Sequence, residues 1–253
     1  MRPTSLLRTS ALALLTVATT AAAQGRNLSD PGRMYRAWNT PHVAARGAST
    51  YNLYLTPTFG WTDNGNTVGG QLRYASDNLL TNMPVAISGS IMNVHADGNG
   101  AVPSQNQLAE QLVGEVGLWS NPSMMFSLTG SFGHQDIVKN WELLPEFDWM
   151  LPKNDMFTGA IGAMAYLDRT DIDGINTPTK TRTFAAIAYL NHTTWSFVPE
   201  YDFSSQTGVD DSYSIKVTKS FEKMARDPRV FFGLGHDGFG NNSYLAGVRW
   251  TMK

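Results

Sequence analysis

Trp141-Glu142-Leu143-Leu144-Pro145-Glu146-Phe147-Asp148-Trp149-Met150-Leu151 is the stretch whose reading decides the fold. Trp141, Leu143, Phe147, Trp149 and Leu151 share one face, and Glu142, Glu146 and Asp148 share the other. A period of two marks an extended strand whose faces meet different surroundings. Alternation alone would also suit a soluble exported β-sandwich that binds a ligand between its sheets, so strand length must arbitrate. Soluble strands cluster at about five or six residues, whereas tilted strands that cross a bilayer need about nine to eleven. Trp141 and Trp149 are eight positions apart. At about 3.3 Å per residue and a tilt near 40°, that spacing is roughly 20 Å of height, close to the apolar band between the aromatic girdles of a membrane barrel.

The same grammar extends in both directions. Upstream, Leu53, Leu55, Phe59 and Trp61 oppose Tyr54, Thr56 and Thr58; Val68 and Leu72 oppose Gln71 and Arg73; Ile87 and Ile91 oppose Ser88 and Ser90; Leu112 and Val116 oppose Gln111 and Glu115. Downstream, Trp195, Phe197, Tyr201 and Phe203 oppose Ser196, Glu200 and Asp202, repeating a Trp-x-x-x-Pro-Glu-aromatic-Asp-aromatic frame. Such an echo arises from duplication or from convergent hairpin grammar. Pro57, Pro145 and Pro199 fall inside strands, where each removes a ladder hydrogen bond and so requires a bulge or a local loss of pairing. The tight connections, Ser120–Ser123, Pro152–Asp155 and Asn191-His192, alternate with long ones, His95–Asn106 and Asp168–Lys180. Short turns at one end and longer loops at the other suit an outer-membrane barrel with its amino terminus inside. Ser76–Asn82 and Glu222–Asp227 are long for inner turns. The expectation is therefore an all-β chain forming a single antiparallel transmembrane β-barrel of about twelve strands, with ten to fourteen left open.

Residues 1–23 are expected to be a signal peptide: Arg2 and Arg8 precede an apolar run from Ala11 to Ala22, and Ala21-Ala22-Ala23 offers a small-residue cleavage site. Residues 24–49 read as a polar lead-in with Arg26, Arg33, Arg36 and Arg46, and residues 50–253 as the barrel. The formal net charge is -2 and charged residues make up 16% of the chain, so no basic surface invites nucleic acid. There is no cysteine, which removes disulfides and thiolate metal sites together.

If the apolar face meets lipid, the other face lines the lumen, and its charges become the candidate site: Arg73, Glu115, Glu142, Glu146, Asp148, Glu200, Asp202, Lys216 and Arg249. Lined with both signs, a channel sorts solutes by charge; in a small barrel the same groups pair into a filled interior. Trp61, Trp141, Trp149, Trp195 and Trp250 are the expected girdle. Glu142 with Glu146, or Glu200 with Asp202, has the composition of a glycosidase pair, but spacings of four and two on one strand are what lumen alternation produces. His42, His95, His134, His192 and His236 have no serine or carboxylate at a persuasive spacing for a lipid-modifying enzyme. Asp168-Arg169-Thr170-Asp171-Ile172-Asp173-Gly174 lacks the closing glutamate of a calcium loop and reads as a solvated outer loop. No enzyme activity, cofactor or metal is expected.

The signal segment, the long amphipathic strands, the girdle tryptophans and the strand Tyr244-Leu-Ala-Gly-Val-Arg-Trp250 together resemble the outer-membrane β-barrel superfamily, porin-like in character. The Pro-Glu-aromatic-Asp strands are faintly similar to YaiO-type barrels. The resemblance implies a place in the bacterial outer membrane, contact with its lipids, insertion by the barrel-assembly machinery and a passive or weakly charge-selective channel for small solutes. Members of the superfamily usually end on an aromatic residue, whereas here Thr251-Met252-Lys253 follows Trp250. A structural or interaction barrel with a plugged lumen is the alternative, followed by a lipid-modifying barrel enzyme.

Overall fold

The computed structural model describes residues 51–63, 65–80, 83–97, 104–120, 123–152, 157–174, 179–204, 210–221, 223–226, 228–237 and 240–252. The expected signal peptide (1–23) and lead-in (24–49) lie outside the described residues. Twelve strands follow one another: β1 (Tyr51–Thr62), β2 (Gly65–Leu80), β3 (Met83–Ala96), β4 (Gln105–Ser120), β5 (Met124–Gln135), β6 (Val138–Met150), β7 (Thr158–Ile172), β8 (Thr179–His192), β9 (Trp195–Phe203), β10 (Ser212–Ser220), β11 (Arg229–His236) and β12 (Asn242–Met252). Each pairs antiparallel with its neighbours, and β12 pairs with β1 to close the barrel. Closure satisfies the backbone groups that an open sheet edge would leave bare, the condition for strands to cross lipid. A single closed sheet replaces the two packed sheets of the sandwich reading.

The burial pattern is inverted relative to a soluble protein. Phe59, Leu72, Ile91, Leu112, Trp141, Trp149, Phe184 and Phe203 are exposed, while Thr56, Gln71, Arg73, Glu146, Asp148, Lys216 and Arg249 are buried. In water, an apolar wall of this extent would carry about 25 cal/mol for every Å² left exposed. Lipid removes that cost, and the period-two alternation then places the polar residues inside.

Several strands run further than the apolar alternation predicts. β2 continues to Leu80, which shortens the Ser76–Asn82 connection to residues 81–82, with a register shift between Ser76 and Leu80. β7 continues to Ile172, so Asp168, Arg169, Thr170 and Asp171, expected in a solvated loop, pair with Glu142, Trp141, Asn140 and Lys139 of β6. Polar residues extend a ladder as readily as apolar ones, because the bonds belong to the backbone. A register shift between Gly117 and Trp119 in β4 leaves both Leu118 and Trp119 exposed. The three prolines cost pairing without a bulge. The pairing skips Thr56–Pro57 on the β12 side, Leu144–Pro145 on the β7 side and Val198–Pro199 on the β8 side, and resumes in the same register. Beyond the end of β9, Asp211 accepts from the Tyr201 hydroxyl at 2.7 Å and from the Ser204 N–H at 2.8 Å. These two bonds, the tyrosine's the stronger, hold its carboxyl below the usual range, so the fastening weakens as the pH falls through that lowered pKa.

Candidate functional site in the barrel interior

On the wall formed by β6 to β9, one row runs Phe147, Ala163, Ala186, Tyr201, each opposite the next. A half-turn about a line through the Ala163–Ala186 pair exchanges β7 with β8 and β6 with β9. The step from Phe147 to Tyr201, 54 positions, also carries Trp141 to Trp195, Pro145 to Pro199, Glu146 to Glu200 and Asp148 to Asp202. The step from Ala163 to Ala186, 23 positions, carries Ala163-Met-Ala-Tyr-Leu167 onto Ala186-Ile-Ala-Tyr-Leu190. A hairpin of β6 and β7 copied onto β8 and β9 would carry β6 to β8 and β7 to β9, so it does not produce this crossed relation.

Four carboxylates frame the centre of this wall. Glu146 shares a row with Met164, Ala185 and Asp202, and Asp148 shares the next with Gly162, Ile187 and Glu200. All four are buried, Asp148 completely. Two tyrosines cross the frame in opposite senses. Tyr189 of β8 donates to Glu146 Oε1 of β6 at 2.5 Å, and Tyr166 of β7 donates to Glu200 Oε1 of β9 at 2.5 Å. Tyr166 lies opposite Leu144 and Tyr189 opposite Val198, in the gaps beside Pro145 and Pro199. Asp202 also accepts from Ser212 Oγ at 3.0 Å, and Glu142 from Ser131 Oγ at 3.2 Å.

The frame depends on one missing side chain. A Cβ at Gly162 would lie 2.3 Å from Asp148 Oδ1 and 2.9 Å from Ile187 Cγ2. Gly162→Ala is expected to destabilise the barrel by about 1–3 kcal/mol through overpacking, whereas Gly89→Ala, at a position with nothing within 4 Å, should stay within about 0.5 kcal/mol. Urea unfolding of the refolded protein in lipid vesicles compares the two; equal losses would mean the interior has slack.

The bases occupy the remaining wall. Arg73 of β2 reaches across β3 to Glu115 of β4, donating from Nη1 to Oε1 at 3.1 Å and from Nη2 to Oε2 at 2.6 Å. Arg249 of β12 lies 4.2 Å from the Tyr54 ring centroid, a cation–π contact. Lys216 of β10 is buried next to Gly233 and Val198 in the pairing. Arg73, Glu146, Asp148, Glu200, Asp202, Lys216 and Arg249 are thus buried inside the barrel, Glu115 nearly so and Glu142 half-buried. Of these, Arg73 and Glu115 are brought into direct contact. Sequence reasoning missed Asp168, buried opposite Glu142, as well as Tyr166, Tyr189, Tyr54 and Arg229, which pairs with Arg249. The Ala-x-Ala-Tyr-Leu echo was the available signal for the two crossing tyrosines.

The expected girdle tryptophans fall at the two ends of the outer face. Trp61 and Trp141 lie towards the end where β1 finishes; Trp149, Trp195 and Trp250 lie towards the end where β1 starts. Trp61 stacks on Tyr244 with centroids 5.3 Å apart. Trp119, absent from the expected set, is exposed at the second end.

No family profile and no curated protein matches the sequence. Solved structures do. A KdgM porin, solved in complex with disordered oligogalacturonate, superposes with a TM-score of 0.53 at 11% identity, covering 79% of this chain and 99% of that one. The Pseudomonas putida toluene transporter TodX gives 0.48 at 7% identity over 85% and 92% of the two chains. A mutant porin from Rhodopseudomonas blastica gives 0.33 at 10% identity over 81% and 100%. The likeness to the KdgM porin is one of fold, a closed antiparallel β-barrel of the porin kind. At these identities the likeness extends to architecture, and the interior must be read from its own residues.

Proposed function

We propose that this chain is a barrel of the bacterial outer membrane that gives small solutes a narrow, passive and charge-selective passage, without enzymatic chemistry. In this reading it is exported by its signal peptide, inserted by the barrel-assembly machinery and held by tryptophans at the two headgroup levels. One observation carries the passage: the segregation of charge inside the barrel. Glu142, Glu146, Asp148, Asp168, Glu200 and Asp202 occupy β6, β7 and β9, while Lys216, Arg229, Arg249 and Arg73 occupy β10, β11, β12 and β2, with Glu115 of β4 bonded to Arg73. Sectors of opposite sign, adjoining where β10 pairs with β9, set up a transverse field, which orients and sorts charged solutes. Twelve strands about 4.8 Å apart and tilted near 40° enclose a cylinder roughly 24 Å across between backbones. Arginine, tyrosine and glutamate side chains from facing walls narrow that opening to about the width of a small solute.

A plugged interior is the second reading. It is favoured by the 0–2% exposure of Tyr189, Asp148, Glu146, Arg73 and Arg249. Single-channel recording of the refolded barrel in planar bilayers separates the two. The passage reading expects steady steps with unequal cation and anion permeability; a folded, inserted and silent barrel would overturn it in favour of a plug.

A further inference from the structure

The outer wall carries a distinct cationic sector at the end where β1 starts. Lys219, on the outward face of β10, holds its Nζ 4.7 Å from the Trp195 ring centroid of β9 and donates to Thr194 Oγ1. The connection between β10 and β11 folds up beside it. The Phe221 N–H donates to Pro228 O at 3.0 Å, the Met224 N–H to Phe221 O at 2.9 Å, and the Thr251 N–H to Arg226 O at 2.9 Å. These bonds fix a compact turn that leaves Phe221 39% and Met224 59% exposed, with Lys223 and Arg226 exposed alongside. Trp195, 40% exposed, and Val230, 45% exposed, continue the apolar surface up the wall. From residue 219 to 227 the sequence holds Lys219, Lys223 and Arg226 against Glu222 and Asp227, a net charge of +1.

A lysine on a lipid-facing wall is costly unless its ammonium reaches the headgroup level. Here the ammonium is braced by a ring face and one hydroxyl, which leaves further N–H donors for an anion. Exposed phenylalanine and methionine next to basic residues are what seat a segment at the boundary between acyl chains and headgroups. We propose that Lys219, Lys223 and Arg226, with Trp195, Phe221 and Met224, form a binding site for an anionic phospholipid of the adjacent leaflet, its phosphate on the cations and its chains along the apolar residues. In the outer-membrane orientation this is the periplasmic leaflet. The site does not depend on whether the interior conducts.

The test is native mass spectrometry of the full barrel released from mixed phosphatidylglycerol–phosphatidylcholine nanodiscs, counting the lipids retained. Wild type should retain phosphatidylglycerol over phosphatidylcholine by about fivefold, since each unit of net basic charge near an anionic surface is worth about a factor of five. Lys219→Gln with Arg226→Gln should bring the two lipids to parity. Lys139→Gln, at the opposite end and bonded to Asp173 at 3.1 Å, should leave the preference intact. If the double variant does not fold, Lys219→Arg must keep the preference and Lys219→Met must reduce it. Equal retention by wild type, or an unchanged preference in the Lys219 variants, overturns the site.

Discussion

Arg73→Met is expected to lower the unfolding free energy by about 3 kcal/mol, while Arg73→Met combined with Glu115→Leu costs far less. The guanidinium and carboxylate meet through two bonds, with side chains 1% and 9% exposed. Removing the arginine alone takes two charge-assisted bonds from a nearly buried carboxylate on an interior wall. Removing both takes away the attraction and the burden of burying charge together. Urea titration in lipid vesicles, followed by tryptophan fluorescence, gives all three values. A loss below about 1 kcal/mol for the single variant would mean that water screens the pair as it does on a protein surface. The same experiment thus reports on how wet the interior is.

The strands with large apolar residues on alternate positions were legible from the sequence, and so was the inward face they imply. Trp141 to Trp149 defined β6 because each outward position carries a bulky group and each acid sits between two of them. Legibility fell where the ladder outlasts the apolar band. In the last residues of β7, Asp168 to Asp171, polar side chains occupy both faces, and composition there resembles a loop. Backbone pairing decides such segments, and pairing is a property of two strands that no single stretch displays.

The interior was half legible for a related reason. Parity places a residue inside, but it does not choose its partner across the barrel. Arg73 meets Glu115 over an intervening strand, 42 positions away in sequence, and Tyr189 meets Glu146 over 43. These contacts follow from the register of three strands at once. The prolines illustrate the same coupling: Pro145 and Pro199 were expected to cost pairing, and their gaps lie on the sides facing β7 and β8, beside the tyrosines that cross the frame. A strand-by-strand reading finds the proline and the tyrosine separately; the half-turn relation joins them.

That frame is where selectivity should be decided. Glu146→Gln with Glu200→Gln is expected to reduce the cation-to-anion permeability ratio about tenfold while leaving the barrel folded. A unit charge acting about 12 Å away at an effective dielectric near 20 shifts a cation and an anion by about 1.4 kcal/mol in opposite senses, about a hundredfold in the ratio. Screening by salt in the recording solution brings that down to about tenfold. Glutamine keeps the volume and an acceptor oxygen for Tyr189 and Tyr166, so the crossing bonds at 2.5 Å have a neutral substitute. Lys216→Gln with Arg249→Gln should move the ratio the other way, because those buried side chains of β10 and β12 carry the opposite charge. Reversal potentials in asymmetric salt measure both pairs of variants. If neither pair shifts the reversal potential of a conducting barrel, ions pass elsewhere than along these sectors. If both shift it in opposite directions, the two sectors act as one filter whose sign is set by their difference.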